Sequence, residues 1–233
     1  MILPPNSIDL VIFDCDGVLI DSEVISAKVI VDMLANQGVL IDLDYVYNNF
    51  LGRQFSCVGQ KVADNFCINL PTTFESDYRS ELLLAFEKEL SITSGIDTVL
   101  SNLGVQHCVA TSSSPQRTKA ALNVVGLDKH FKENVFTASE VKNGKPAPDL
   151  FLYVAGQMQV EPSNCLVIED SVMGVTAAVS AGMNVWRYTG AGHFNKTVSN
   201  SLDQFPNVSI FDSWRNFFEM APSLNKINTV IGN

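Results

Sequence analysis

The sequence predicts an α/β fold: a Rossmann-like parallel sheet with helices on both faces, plus an inserted all-helical unit. Three observations predict it. Short, continuous apolar runs recur at residues 8–13, 108–110, 165–168 and 185–188. Unbroken rather than alternating apolarity marks strands buried on both faces. Helical patterns separate the runs, and alternation of strand and helix is the signature of a parallel sheet. Residues 21–90 break that rhythm with consecutive helical segments.

In chain order, the first run (IDLVIF) stops at Asp14-Cys15-Asp16-Gly17. Helices are then expected over 24–37, 44–50, 54–67 and 74–90, punctuated by Gly38, Gly52 and Pro71. Four helices exceed what one crossover needs, so residues 21–90 are expected to form a separate helical domain. Residues 1–20 and 91–233 would form the α/β core. The run at 108–110 ends at Thr111-Ser112-Ser113, and Ser114-Pro115 has the form of an N-cap and first helical residue, leading into a helix through 125. Pro146 and Pro148 open a helix over 149–157. After the run at 165–168 come Glu169-Asp170-Ser171, then an apolar stripe of Val172, Val175 and Val179 with Gly182 as its stop. The tail, 212–233, is expected to hold one closing helix and a loose end.

Composition narrows the function. Hydrophobic residues make up 46% of the 233 and charged residues 17%, enough for a packed core. The formal net charge of −10 opposes binding to polyphosphate backbones and anionic membrane surfaces, so no nucleic-acid or membrane partner is expected. The five cysteines are odd in number and none are spaced C-x-x-C, which fits reduced thiols better than a disulfide framework. The first residues lack the pattern of a signal peptide, and no apolar run reaches the roughly 18 residues of a spanning helix. A cytoplasmic protein is expected.

The acids and one lysine carry the chemistry. Asp14 and Asp16 follow one strand, Thr111 another, Glu169 and Asp170 a third. Open parallel sheets gather their sites at the carboxyl ends of strands, so these groups should converge. Carboxylates forced together repel, and some take up protons unless a cation compensates. An all-oxygen acidic site of this size suits Mg²⁺.

The stretch Val11-Ile12-Phe13-Asp14-Cys15-Asp16-Gly17-Val18-Leu19-Ile20-Asp21-Ser22-Glu23 resembles the first motif of the haloacid dehalogenase (HAD) superfamily. Ala110-Thr111-Ser112 resembles its second motif, Gly144-Lys145-Pro146-Ala147-Pro148-Asp149 its third, and Ile168-Glu169-Asp170-Ser171 its fourth. All four stand in the expected order, and the helical insert resembles the C1-type cap domain. The branch most similar holds β-phosphoglucomutase, 6-phosphogluconate phosphatase and other small-sugar-phosphate phosphatases.

The resemblance implies a role for each residue. Asp14 would be the nucleophile that forms an aspartyl-phosphate. Asp16 would protonate the leaving alcohol and then activate water, with its backbone carbonyl on Mg²⁺. Asp170 would be a further metal ligand, with Glu169 on the metal or just behind it. The Thr111 hydroxyl and the Ser112 N–H would bind phosphoryl oxygens, helped by the helix that starts near Ser114. Lys145 would neutralise charge on Asp14 and the phosphoryl group. Arg53, in a Gly-Arg turn of the cap, would reach across to the substrate. Cys15 would fill space beneath the loop rather than react.

The expected activity is therefore Mg²⁺-dependent phosphatase action on a small phosphorylated metabolite, a sugar or sugar-acid phosphate, by a monomer. Asp16 disfavours dehalogenase and phosphonatase chemistry, whose enzymes lack an aspartate there. The alternative within the resemblance is a phosphosugar mutase of the β-phosphoglucomutase type. Such enzymes usually carry a histidine where this chain has Ser26, and a serine hydroxyl cannot shuttle protons at neutral pH as an imidazole does. A non-catalytic phosphate-binding regulatory domain on the same fold is a second alternative, but Asp14, Asp16 and Lys145 are all present. The three histidines lack triad or metal-ligand spacing.

Overall fold

The structure, a computed structural model, describes residues 7–50, 55–195, 205–206 and 208–226. Six parallel strands form one sheet in the order β3-β2-β1-β4-β5-β6. They are β1 (Leu10–Phe13), β2 (Gln106–Thr111), β3 (Val135–Thr137), β4 (Cys165–Glu169), β5 (Asn184–Tyr188) and β6 (Ser209–Phe211). β1 is central, and the chain moves outward from it first on one side and then on the other. The crevice at the carboxyl ends of β1 and β4 is thus the switch point where such sheets hold ligands.

Both faces of the sheet are covered, which explains the unbroken apolar runs. Leu10 and Ile12 of β1 point to one side, against Leu150, Phe151 and Val154 of α8 (Asp149–Met158) and Val175 and Ala178 of α9 (Val172–Ser180). Val11 and Phe13 point to the other, toward α5 (Ile96–Asn102), α6 (Pro115–Val124), α7 (Asp128–Phe131) and the carboxyl-terminal Trp214 and Phe217. Phe13 stacks edge-on with Phe131 at 6.2 Å and meets Trp214 at 6.0 Å. Removing such a ring from a core costs about 3–5 kcal/mol.

Between β1 and α5 lie α1 (Glu23–Asn36), α2 (Leu43–Asn49), α3 (Ser56–Phe66) and α4 (Phe74–Glu89), each within two residues of its expected bounds. They share an apolar cluster of their own, built on Ala27, Ile30 and Leu34 of α1 with Val46, Val58, Val62 and Phe74. Ile25 of α1 and Leu82 and Phe86 of α4 instead join the core of the sheet. The two connections run side by side: Ile20 bridges Ile92, and Asp21 N–H donates to Ser91 O at 3.0 Å.

Three expectations need correction. In the tail, 212–233, the closing helix is only the four-residue α10 (Phe217–Met220) among the described residues, and β6 lies just ahead of it. The short strands β3 and β6, three residues each, fall below the length at which an apolar pattern can be read. On α9, Val179 is 42% exposed, and the buried face is Gly174, Val175, Ala177 and Ala178. Small residues face the sheet there because the helix lies close against it. Gly182, with φ +73°, does end the helix in the left-handed conformation glycine favours.

Candidate active site

Asp14 leaves the end of β1 with its N–H still bonded to Ile168 O of β4 at 2.9 Å. The chain then turns tightly, with Gly17 N–H donating to Ile20 O and Leu19 N–H to Cys15 O. Gly17 has φ +77°, and a β-carbon there would stand 2.2 Å from Asp170 Oδ2. Glycine is required on both counts. Cys15 is buried in the core, where burial pushes its thiol well above the ordinary value and keeps it unreactive.

Lys145 comes from the loop before α8, and its side chain is only 4% exposed. Its Nζ donates to Asp14 Oδ1 at 2.6 Å, to Glu169 Oε1 at 2.7 Å and to Ala110 O at 3.1 Å. The three ammonium protons thus meet three acceptors at the ends of β1, β4 and β2. Burial alone lowers the lysine's pKa, but the charges of Asp14 and Glu169 outweigh it and raise the net value. Lys145 is fully charged at neutral pH.

Glu169 closes β4. Its second oxygen, Oε2, accepts from Ser171 N–H at 2.7 Å and Ser171 Oγ at 3.0 Å. Ser171 caps α9 by accepting from Gly174 N–H at 3.0 Å. Asp170 is buried beside it. Asp14, Glu169 and Asp170 each offer an oxygen within 4.8 Å of the others. Burial, reinforced by neighbouring carboxylates and opposed by Lys145, raises Asp14 well above its ordinary pKa. Burial and Glu169 do the same to Asp170. This is an all-oxygen pocket that a cation would relieve, and hard divalent ions such as Mg²⁺ fit such donors.

Asp16 points elsewhere. Both its oxygens are held by Arg117 of α6, Nη1 to Oδ2 at 2.6 Å and Nη2 to Oδ1 at 2.8 Å. Ser22 Oγ donates to Oδ1 at 2.5 Å and Ser113 Oγ to Oδ2 at 2.7 Å. Burial raises the pKa of Asp16, but the Arg117 charge and these hydrogen bonds outweigh it and hold the carboxyl below its usual range.

Thr111 is buried at the end of β2, where its Oγ1 accepts from Ser113 N–H at 3.1 Å. Ser112 stands exposed on the same loop. Ser114 caps α6 as expected, accepting from Arg117 N–H at 3.4 Å. Arg53 lies outside the described residues.

Asp14, Lys145, Glu169 and Asp170 therefore come together as expected, with Asp16 on the loop after β1 and Thr111 at the end of β2. Sequence reading missed Arg117 and His193. Arg117 lies in the first turn of a helix whose start was legible, and side chains there lean back toward the helix amino terminus and the strand ends. His193, in a short helical turn after β5, is buried with Nε2 3.4 Å from Asp170 Oδ2. No local spacing signals that contact, because 23 residues separate the pair in sequence.

Comparison with known proteins makes this α/β chain a phosphoric monoester hydrolase. The chain belongs to the haloacid dehalogenase-like hydrolase family, whose model matches residues 8–182. It is 29% identical over 205 residues to the 6-phosphogluconate phosphatase of Escherichia coli K12, covering 88% of this chain and 93% of that one. A conserved haloacid dehalogenase-like protein of unknown function from Agrobacterium tumefaciens superposes with a TM-score of 0.83 at 30% identity, covering 93% of this chain and 99% of that one. A HAD family hydrolase from Deinococcus radiodurans, solved with bound phosphate and sodium, superposes with a TM-score of 0.79 at 30% identity over 93% of this chain and 97% of that one. Among the described residues, no helix is long and apolar enough to cross a membrane.

Proposed function

We propose that this chain is a Mg²⁺-dependent phosphatase of a sugar or sugar-acid phosphate, acting through an aspartyl-phosphate on Asp14. The observation that carries the reading is Lys145 held between Asp14 and Glu169 beside Asp170, at the switch point of the sheet. The similarity to a 6-phosphogluconate phosphatase supports the substrate class.

Asp14 attacks phosphorus through a carboxylate oxygen, and the bond from phosphorus to the alcohol oxygen breaks. Asp16 would act as the acid only after leaving Arg117 and taking up a proton, which it then gives to that oxygen. A water molecule then attacks phosphorus and passes a proton back to Asp16. The Asp14 O–P bond breaks, releasing inorganic phosphate and restoring the carboxylate. Lys145 offsets the negative charge that Asp14 and the phosphoryl group bring together. The Thr111 hydroxyl and Ser112 N–H hold phosphoryl oxygens. Asp14, Asp170 and the Asp16 carbonyl are the residues that would hold Mg²⁺, which would supply positive charge to offset that of the nucleophile and the phosphoryl group. Glu169 already receives donors on both oxygens, which favours its acting on the metal site from behind, by fixing Lys145 and the α9 cap.

Residues 21–90 act in this reading as the cap domain that covers the cleft and excludes water, with Arg53 reaching the substrate. The enzyme works as a cytoplasmic monomer. Its five cysteines are all free thiols, which fits a reducing compartment. Ser26, on α1, argues against the mutase alternative.

The test is phosphate release from 6-phosphogluconate, hexose 1- and 6-phosphates and p-nitrophenyl phosphate, with Mg²⁺ or EDTA. Release that needs Mg²⁺ supports the reading. Conversion of β-glucose 1-phosphate to the 6-phosphate without release would identify a mutase.

A further inference from the structure

Lys145 divides its three protons among Asp14, Glu169 and Ala110 O, and none is left for Asp170. The side chain at the Asp170 carboxylate is His193 instead, with Nε2 3.4 Å from Oδ2 and the imidazole only 3% exposed. Of the acids around the ring, Asp170, Glu23 and Asp21, only Asp170 lies at ion-pair distance among the described residues. The second ring nitrogen, Nδ1, is buried with no hydrogen-bond partner. A neutral imidazole carries one proton, which belongs on Nε2, where a carboxylate oxygen can accept it. At 3.4 Å the contact is longer than the roughly 2.9 Å of a strong N–H···O bond, so it steers the carboxylate more than it stabilises the fold.

The ring is itself held in place. Gly192 N–H donates to both oxygens of Asp21, at 3.2 and 3.3 Å, and a β-carbon on Gly192 would stand 2.8 Å from Asp21 Oδ2. Phe194 packs on the imidazole with ring centres 4.1 Å apart. Arg187, buried on β5, sets its guanidinium 5.5 Å from the Phe194 ring centre, and its Nε donates to Asp170 O at 2.8 Å. One assembly after β4 thus holds both the Asp170 backbone and the ring beside its carboxylate. Gly17 narrows the slot further, since a β-carbon there would stand 2.2 Å from Asp170 Oδ2 and 3.0 Å from His193 Cε1. Arg187, Gly192, His193 and Phe194 all lie beyond residue 182, where the family match ends.

We propose that His193 is a positioning residue of the cation site: by holding Oδ2 it fixes the orientation of the Asp170 carboxylate, and with it the affinity for a divalent ion. This rests on Asp170 as a metal ligand in the phosphatase reading. A free carboxylate turns about its Cβ–Cγ bond, and stopping that rotation beforehand removes a cost from ion binding.

The experiment measures binding of Mn²⁺, a hard ion that oxygen donors take as they take Mg²⁺, by electron paramagnetic resonance, with Mg²⁺ as competitor. It needs no substrate, and compares the unaltered protein with His193→Phe, His193→Gln and Asp170→Asn. Phenylalanine keeps a ring without an N–H, and glutamine keeps a donor. His193→Phe should weaken both ions about tenfold to a hundredfold, and His193→Gln should recover most of that loss. Melting curves in EDTA should stay alike for the two variants. If phenylalanine does not fold there, His193→Leu, with its smaller side chain, carries the same comparison. Equal weakening by the donor and non-donor variants, or none by either, overturns the positioning role and leaves His193 as packing. Ion binding that survives unchanged in Asp170→Asn overturns the metal-site reading itself.

Discussion

The Lys145 ammonium lies 2.6 Å from Asp14 Oδ1, joining two residues 131 positions apart in the chain. That contact ties the loop before α8 to the end of β1, and it puts a fixed positive charge on the expected nucleophile. Lys145→Met should leave Asp14 and Glu169 buried without their cation. Stability is expected to drop by about 3–5 kcal/mol, and phosphate release by about a thousandfold or more. Urea unfolding and steady-state assays measure the two losses. A variant that melts normally and retains activity would contradict the role.

Gly174→Ala tests the support behind Lys145. A β-carbon there would stand 1.8 Å from Glu169 Oε1, so the carboxylate or α9 must move. Destabilisation of about 2 kcal/mol or more is expected, together with reduced activity. The same substitution at Gly156 meets nothing within 4 Å and is the control. Equal melting temperatures for the two variants would refute the packing argument.

The pH dependence has a sign. Burial pushes Glu23 up to about 8 from an ordinary 4.5. The folded protein therefore holds a proton that the unfolded chain gives up across that range. The resulting stability is full below about pH 4.5 and is lost as pH rises through about 8. Glu23→Gln should remove this slope. Between pH 6 and 9 the unaltered protein should lose about 5–10 °C of melting temperature more than the variant. Parallel melting curves would show that Glu23 titrates normally.

Mg²⁺ should stabilise the fold in a pH-dependent way. Asp14 and Asp170 both have raised pKa values in the folded chain, so protons compete with a cation for their oxygens. The rise in melting temperature on adding Mg²⁺ is expected to be larger at pH 8 than at pH 5, and to vanish in Asp170→Asn. A rise of the same size at both pH values, or one that survives in Asp170→Asn, would place the ion elsewhere.

Much of the fold and site is legible in the sequence because the signals are local. Buried strands are continuous apolar runs, and the acids follow them directly, so the order of residues alone puts Asp14, Glu169 and Asp170 on one edge of the sheet. Ser114 and Gly182 mark helix ends through their own backbone chemistry. The failures are of two physical kinds. β3 and β6 are edge strands three residues long, held by register with a neighbour rather than by their own pattern. Arg117 and His193 act through contacts between distant segments, which no spacing encodes. The arginine's hold on Asp16, 101 residues away, is the clearest case.

The most direct test of Asp14 is to trap the phosphorylated enzyme. Enzyme turning over with Mg²⁺ and its best ester would be quenched in acid, reduced with borohydride and digested for peptide mass spectrometry. An acyl phosphate on Asp14 should be reduced to the alcohol at that residue alone, and Asp14→Asn should show neither the reduced peptide nor phosphate release. Continued phosphate release by Asp14→Asn, or reduction at a different carboxylate, would contradict Asp14 as the nucleophile.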